Sequence, residues 1–326
     1  MALSPGSAGG PGTAVASGTV HRGVPFADTA HQAQVLSGPL RATLERGDRA
    51  LAVVDRDCRA ELDLTLGRDA GVEYRTPEQM HCAPAFTVAT RWARAAREAT
   101  ARDGARMTTI GQHIDGLPGT DPAYWVRLDV ALNRVLDGMP VTMLCSFPDG
   151  RAAREDAAAL HEALIVDGEE VPSTTRRDPR DLLAEYPQHP PADLGTPLFE
   201  MDVDLAGLAT LRRLVHTEAT LGGLGPSRTS DLVLALNEIA TNGVEHGSGL
   251  PRLRMWRGPD GLTGEVTDSG RTRLPFPGML APPPAGVRGR GLWLASELTD
   301  VLQVWTADDD PGCPAGTVVR VRMTPP

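Results

Sequence analysis

Short apolar runs alternate with helical-period segments through the first half of the chain. Candidate strands fall at Ala50–Val54, Val72–Tyr74, Arg106–Ile110 and Val141–Cys145. Between them, apolar positions recur at three- and four-residue spacing in Gln32–Arg46, Ala85–Arg102, Ala123–Leu136 and Ala152–Leu164, the period of amphipathic helices. This alternation predicts a parallel sheet covered by helices. It stops at residues 187–197, a proline-rich stretch without periodicity that reads as an interdomain linker. Residues 1–20, rich in Gly, Ser, Ala and Pro, read as a disordered leader, leaving an α/β domain over 21–186.

The pattern changes after the linker. A strand (Phe199–Val203) and a helix (Ala206–Leu221) precede a long helix, Ser227–Gly247, with Ser227 as its N-cap. Leu232, Leu236, Ile239 and Gly243 form its buried stripe. Strands Leu253–Arg257 and Gly261–Thr267 are joined by a Gly-Pro-Asp-Gly hairpin turn. An irregular segment, Ser269–Arg288, follows, then a helix (Leu292–Leu298) and strands Val301–Thr306 and Thr317–Met323. Helices grouped against a mostly antiparallel sheet predict an α+β two-layer sandwich over 198–326.

Composition removes several chemistries. All 32 basic residues are arginine, so a lysine-bearing phosphate loop and a Schiff-base enzyme are both excluded. The net charge of −10 argues against nucleic acid as the main partner and fits a soluble chain. Cys58, Cys82, Cys145 and Cys313 are widely spaced, which is neither a disulfide framework nor a structural zinc signature. No signal peptide and no membrane-length apolar run is visible, so a cytoplasmic protein without membrane contact is expected.

Candidate chemistry concentrates in the second domain. Glu238 and Asn242 lie one helical turn apart at the edge of the buried stripe, about 40° apart around the axis, and can act on one ligand. The amide oxygen suits a metal ion and the carboxylate a hydroxyl proton. Asp268, ending a strand, can accept from an adenine amine, and Gly270 lets a base approach the backbone. Gly289 and Gly291, with Leu292, open a helix whose N–H groups suit phosphate, flanked by Arg288 and Arg290. Thr317 opens the last strand and can close the pocket.

Taken in this order, these pieces resemble the GHKL (Bergerat-fold) ATP-binding domain. Asn237-Glu238, Asn242 and His246-Gly247 match the first box of its anti-sigma-factor serine/threonine kinase branch, Asn-Glu-x-x-x-Asn-x-x-x-His-Gly. The resemblance implies ATP and Mg²⁺ as cofactors, Glu238 as general base, Asn242 as Mg²⁺ ligand and Asp268 as adenine reader. Gly270, Gly289 and Gly291 become nucleotide-loop glycines, and Ser269–Arg288 the lid. It implies a bacterial regulator that phosphorylates a serine or threonine of a STAS-type anti-sigma antagonist and/or binds a sigma factor, commonly as a homodimer. Sequestration without phosphotransfer and a histidine-kinase-like sensor are the alternatives. The lid's prolines (Pro275, Pro277, Pro282, Pro283, Pro284) stiffen it, and no phosphoacceptor histidine helix precedes the domain. His246 reads as a helix-end residue.

Residues 21–186 resemble the MEDS sensory domain, a degenerate RecA-like module. The resemblance rests on His21, Leu44-Glu-Arg-Gly47, Trp125…Asp129…Asn133, Val141-Thr-Met-Leu-Cys145-Ser-Phe-Pro-Asp149 and Leu160-His161. Without a phosphate loop this domain is not expected to hydrolyse ATP. Cys145 reads either as a redox or metal sensor, with His161 or Cys82, or as a small core residue. His81-Cys82 alone does not define a metal site, and His21 reads as a strand-end residue.

Overall fold

The computed structural model describes residues 18–101, 105–189, 191–247, 249–270, 276–282, 290–306 and 316–325. In chain order the first unit holds β1 (Val20–Phe26), α1 (Thr29–Glu45), β2 (Arg49–Val53), α2 (Arg56–Leu66), β3 (Glu73–Arg75), α3 (Pro77–His81) and α4 (Ala85–Thr100). It continues with β4 (Met107–Gln112), α5 (Tyr124–Val135), β5 (Val141–Pro148), α6 (Arg151–Leu160), β6 (Ala163–Val166), β7 (Glu169–Pro172) and α7 (Pro179–Glu185).

Seven strands form one sheet in the order β3-β2-β4-β5-β1-β6-β7. Every neighbouring pair is parallel except the β6–β7 hairpin at the edge. β4 is buried along its whole length, as a parallel strand covered on both faces must be. Side chains alternate between two cores. Leu51, Val53, Met143 and Cys145 face α4 and α5, with Trp92, Tyr124 and Leu128. Ala50, Ala52, Val54 and Leu144 face α1 and α2, with Leu36, Leu40 and Leu62. Asp28 and Asp55 cap α1 and α2 by accepting from the N–H groups of His31 and Cys58, each at 2.8 Å.

The second unit holds β8 (Phe199–Asp202), α8 (Leu208–Leu221), α9 (Pro226–His246), β9 (Arg252–Gly258), β10 (Gly261–Asp268), α10 (Gly291–Leu298), β11 (Val301–Thr306) and β12 (Thr317–Met323). Its five-stranded sheet, β11-β12-β10-β9-β8, is antiparallel, as the two-layer expectation requires. One face carries the helices over a core that includes Leu211, Leu232, Leu236, Ile239, Val266 and Val321. The start of α9 corrects one detail: Gly225 is the N-cap and Pro226 takes the first helical position, where its fixed φ and missing N–H cost nothing. Ser227 is therefore inside the first turn.

The segment between the units is strapped to the other face of the second sheet. Trp305 and Trp256 donate through Nε1 to the carbonyls of His189 (2.7 Å) and Gly195 (2.9 Å). Arg320 donates to the Ala192 carbonyl at 3.0 Å while pairing with buried Glu265. Among the described residues, no helix is long and apolar enough to cross a membrane.

The units also meet directly through α4. Thr87 Oγ1 donates to the Leu302 carbonyl at 3.0 Å. Arg94 donates to the carbonyls of Ser296 (3.0 Å) and Glu297 (2.9 Å) at the end of α10, and Arg97 pairs with the Glu297 carboxylate at 2.5 Å. Cations are favoured at that negative helix end. Met279, from the segment read as a lid, is buried in the first unit's core cluster, and Phe276 packs against that cluster and against Val130, Leu160 and Leu182.

Leu236 is fully buried at the centre of the second core. Leu236→Ala should lower stability by about 2–5 kcal/mol. Urea unfolding followed by tryptophan fluorescence checks this, and a midpoint equal to that of the parent would place Leu236 outside the core.

Candidate functional site

The buried stripe of α9 orients its polar edge. Leu232, Ala235, Leu236, Ile239, Ala240 and Gly243 face the sheet, which leaves Glu238 and Asn242 half-buried beside them, one turn apart. α10 packs on α9 with its first residue against this edge. A Cβ on Gly291 would lie 2.7 Å from Asn242 Nδ2 and 3.4 Å from Glu238 Oε2. The approach therefore depends on position 291 having no side chain, and it brings the positive end of α10 to the carboxylate–amide pair.

A second wall comes from the sheet. Asp268 ends β10 opposite Thr317 of β12. Its Oδ1 accepts from the Gly270 N–H at 2.6 Å, and Thr317 Oγ1 donates to the Gly270 carbonyl at 2.8 Å. A Cβ on Gly243 would lie 3.5 Å from the Asp268 Cβ, so this wall abuts α9 one residue beyond Asn242. Burial pushes the Asp268 carboxyl up, with the Gly270 N–H opposing. A partly desolvated carboxylate holding one N–H gains from a second donor.

The structure thus gathers Glu238, Asn242, Asp268, Gly270, Gly291 and Thr317 around one corner between α9, α10 and the ends of β10 and β12. Leu292 packs against the second core just inside α10, and Arg290 is the helix's N-cap residue. Arg288 and Gly289 lie outside the described residues, as do 271–275 and 283–287 of the lid. His246 is exposed at the last position of α9. Periodicity did not reveal Asn237 as a bridging residue; its Oδ1 accepts from Arg212 of α8 at 2.9 Å.

Residues 201–323 match the family model of the histidine kinase-like ATPase domain. No match was found among curated proteins. Among solved structures, the chain is similar to the RsbU and RsbW domains of Rv1364c from Mycobacterium tuberculosis. That match has 20% identity and a TM-score of 0.29, and covers 40% of this chain and 32% of that chain. It spans about a third of the solved chain's length.

Gly316 closes the sheet wall in the left-handed region, φ 119°, where a Cβ would stand 1.9 Å from the Asp268 carbonyl oxygen. Gly316→Ala should therefore destabilise the protein by about 1–3 kcal/mol through backbone strain. Thermal unfolding checks the expectation, and an unchanged transition would mean that β12 can enter the sheet by another route. Residues 201–323, the unit that builds this corner from α9, α10, β10 and β12, are thus the part of the chain similar to the histidine kinase-like ATPase domain.

Proposed function

We propose that this chain is an ATP-binding regulator of the anti-sigma type, in which residues 198–326 hold Mg-ATP and a MEDS-like sensory unit over 21–186 controls them. The approach of Gly291 to Asn242 and Glu238 carries the reading. That corner is a cradle a Cβ would fill, and it joins backbone N–H groups at a positive helix end, a hard oxygen donor and a carboxylate.

Within this reading Asn242 is the side chain that would hold Mg²⁺, and Asp268 accepts from the adenine amine. Bound Mg²⁺ supplies neutralisation of charge on the phosphates. Glu238 orients the attacking hydroxyl of a serine or threonine on a partner and takes its proton. The start of α10 receives developing negative charge through its N–H groups, supported by the arginines at 288 and 290. The partner would be a STAS-type antagonist, a sigma factor, or both.

One observation bears on control. The described part of the lid, residues 276–282, is seated partly on the first unit, with Met279 buried there and Phe276 edge-on to Phe86 at 6.1 Å. This seating favours a form in which nucleotide holds a docking surface under the sensory unit's control, with or without transfer.

Incubation of the full chain with Mg-ATP and STAS-type proteins tests the proposal. Acid-stable phosphoserine that is lost in Glu238→Ala, while nucleotide binding is retained, is the expected result. Asn242→Ala should weaken Mg²⁺-dependent affinity by about tenfold or more, about 1.4 kcal/mol. Binding without transfer would leave sequestration, acid-labile autophosphorylation would indicate a histidine-kinase-like sensor, and absence of any nucleotide binding would sink the whole reading. Phe276→Ala, which loosens the seated lid, should speed nucleotide release by roughly 5–30-fold, the factor that 1–2 kcal/mol supplies. A fluorescent-nucleotide chase measures it, and an unchanged rate would remove the lid from the proposed control.

A further inference from the structure

Four chemistry-bearing side chains from distant parts of the sequence meet inside the first unit. His21 comes from β1, Asp129 from α5, Cys145 from β5 and His161 from the residue that ends α6. One potential ligand atom from each lies within 4.8 Å of all the others. All four residues are buried, with exposures of 5%, 1%, 1% and 0%. None belongs to the nucleotide corner.

The hydrogen bonds around the cluster fix which atoms face inward. Asn133 donates through Nδ2 to the Leu160 carbonyl at 2.8 Å, which leaves its Oδ1 to accept from His21 Nδ1 at 2.9 Å. His161 Nδ1 lies 2.9 Å from the Ala157 carbonyl, which can only accept. Both imidazoles therefore carry a proton on Nδ1, and in the neutral form turn a bare Nε2 lone pair into the cluster. This outer-shell arrangement, a ring N–H held by a carbonyl or amide oxygen, orients histidines toward a metal.

The interior is short of donors. His21 Nε2 lies 3.1 Å from Cys145 Sγ, which in turn lies 3.3 Å from Asp129 Oδ1. Asp129 Oδ2 and His161 Nε2 are buried without a hydrogen-bond partner, 3.7 Å from each other. Within the four residues, two lone-pair nitrogens and two carboxylate oxygens thus share the single thiol hydrogen, and from outside them His113 faces the carboxylate. His113 Nε2 stands 3.6 Å from Asp129 Oδ2, beyond normal hydrogen-bond reach, with its ring stacked on Trp125 at 4.3 Å. Unsatisfied buried acceptors are costly, and a cation is the species that satisfies all of them together.

We infer that His21, Asp129, Cys145 and His161 form a binding site for one divalent transition ion of the zinc class. The spacing fits. Tetrahedral bonds of about 2.0–2.3 Å set neighbouring ligand atoms about 3.3–3.8 Å apart. The separations of 3.1 Å (His21 to Cys145), 3.3 Å (Cys145 to Asp129 Oδ1) and 3.7 Å (His161 to Asp129 Oδ2) fall close to that range. The wider ones, 4.0 Å from His21 Nε2 to Asp129 Oδ1 and none above 4.8 Å, close with side-chain movement. The charge fits as well. Binding displaces the Cys145 thiol proton to solvent and forms a metal–thiolate bond, so thiolate and carboxylate together neutralise the ion. One sulfur, two imidazoles and one carboxylate suit zinc, with cobalt as its spectroscopic substitute, better than a hard magnesium or calcium ion. The inference is independent of the nucleotide reading, and neither depends on the other's outcome.

The test is elemental analysis of the purified full chain after growth in zinc-supplemented medium, together with absorption spectra of protein produced in cobalt medium. One ion per chain and a thiolate-to-cobalt charge-transfer band with intense tetrahedral ligand-field bands are expected. Cys145→Ser should abolish the charge-transfer band and His161→Gln should lower metal content. Cys82→Ser, whose thiol lies outside the cluster, should leave both unchanged. Asn133→Ala should weaken the metal affinity by about 10–100-fold through loss of His21 orientation. Wild-type protein that folds without stoichiometric metal, or cobalt spectra indifferent to Cys145→Ser, would overturn the site and leave a hydrogen-bonded core cluster. The wild-type spectra decide the question even where a variant fails to fold.

Discussion

Helix α4 is buried on two sides, and the relation between the two halves of the molecule depends on that. Its apolar face, with Val88, Ala89, Trp92, Ala93 and Ala96, packs on the first sheet. Its flank carries Thr87, Arg91, Arg94 and Arg97, which bond to β11, to Asp300 and to the end of α10. Burial of the first face fixes where the arginines stand, and the arginines fix where α10 ends. Exposed ion pairs contribute little on their own. Here guanidinium groups meet backbone carbonyls that the helix cannot satisfy itself, so the contact adds to helix termination as well as to docking.

The grouping of Glu238, Asn242, Asp268 and Gly270 at one corner was legible in sequence because its parts are local. Glu238 and Asn242 share one helix, the stripe Leu232–Leu236–Ile239–Gly243 sets their azimuth, and Asp268-Ser-Gly270 and Gly316-Thr317 carry the turn residues their backbone needs. Most strands and helices were legible for the same local reason, the parallel strands as short apolar runs and the helices as amphipathic periods. α2, α3, β6, β7 and α7 were not: α2 buries only Cys58 and Leu62, β7 is exposed throughout, and α3, β6 and α7 are too short to write a period. The helix expected over Ala152–Leu164 ends at Leu160, and Ala163 and Leu164 belong to β6. The seating of Phe276 and Met279 was equally hidden, because an irregular proline-rich segment has no period from which to read a buried face.

The buried cluster shows the opposite case. His21 reads as a strand-end residue and Cys145 as a core or sensor residue, and each is unremarkable alone. Only the strand order, with β1 beside β5, and the crossing of α5 over them place these residues within reach of Asp129 and His161. The spacing Trp125…Asp129…Asn133, a four-residue period that puts all three on one helix face, was one signal, and the pairing of Cys145 with His161 was another. Trp125 stacks on His113, Asp129 enters the cluster and Asn133 orients His21. Cys82, considered as a partner for Cys145, lies away from it beside Arg91, Arg228 and Asp300.

Contiguity between the buried cluster and the corner at α9 and α10 is physical, but contiguity alone is not coupling, which needs an element with two arrangements that both regions bias. The described part of the segment read as a lid, residues 276–282, has the right attachments. Phe276 shares an apolar cluster with Leu160, the neighbour of His161, while Gly278 lies against Leu292 at the start of α10. Phe276 also holds φ at 66°, a conformation unfavourable for an aromatic residue and retained only while its ring is packed. A change in how α6 ends would alter the pocket that compensates this backbone, and the segment would relax toward an ordinary φ. Such a relaxation starts at the first unit and ends at the helix whose N-terminus meets Asn242. In the proposed reading, that makes seating of Phe276 the step through which a signal in the first unit reaches bound nucleotide.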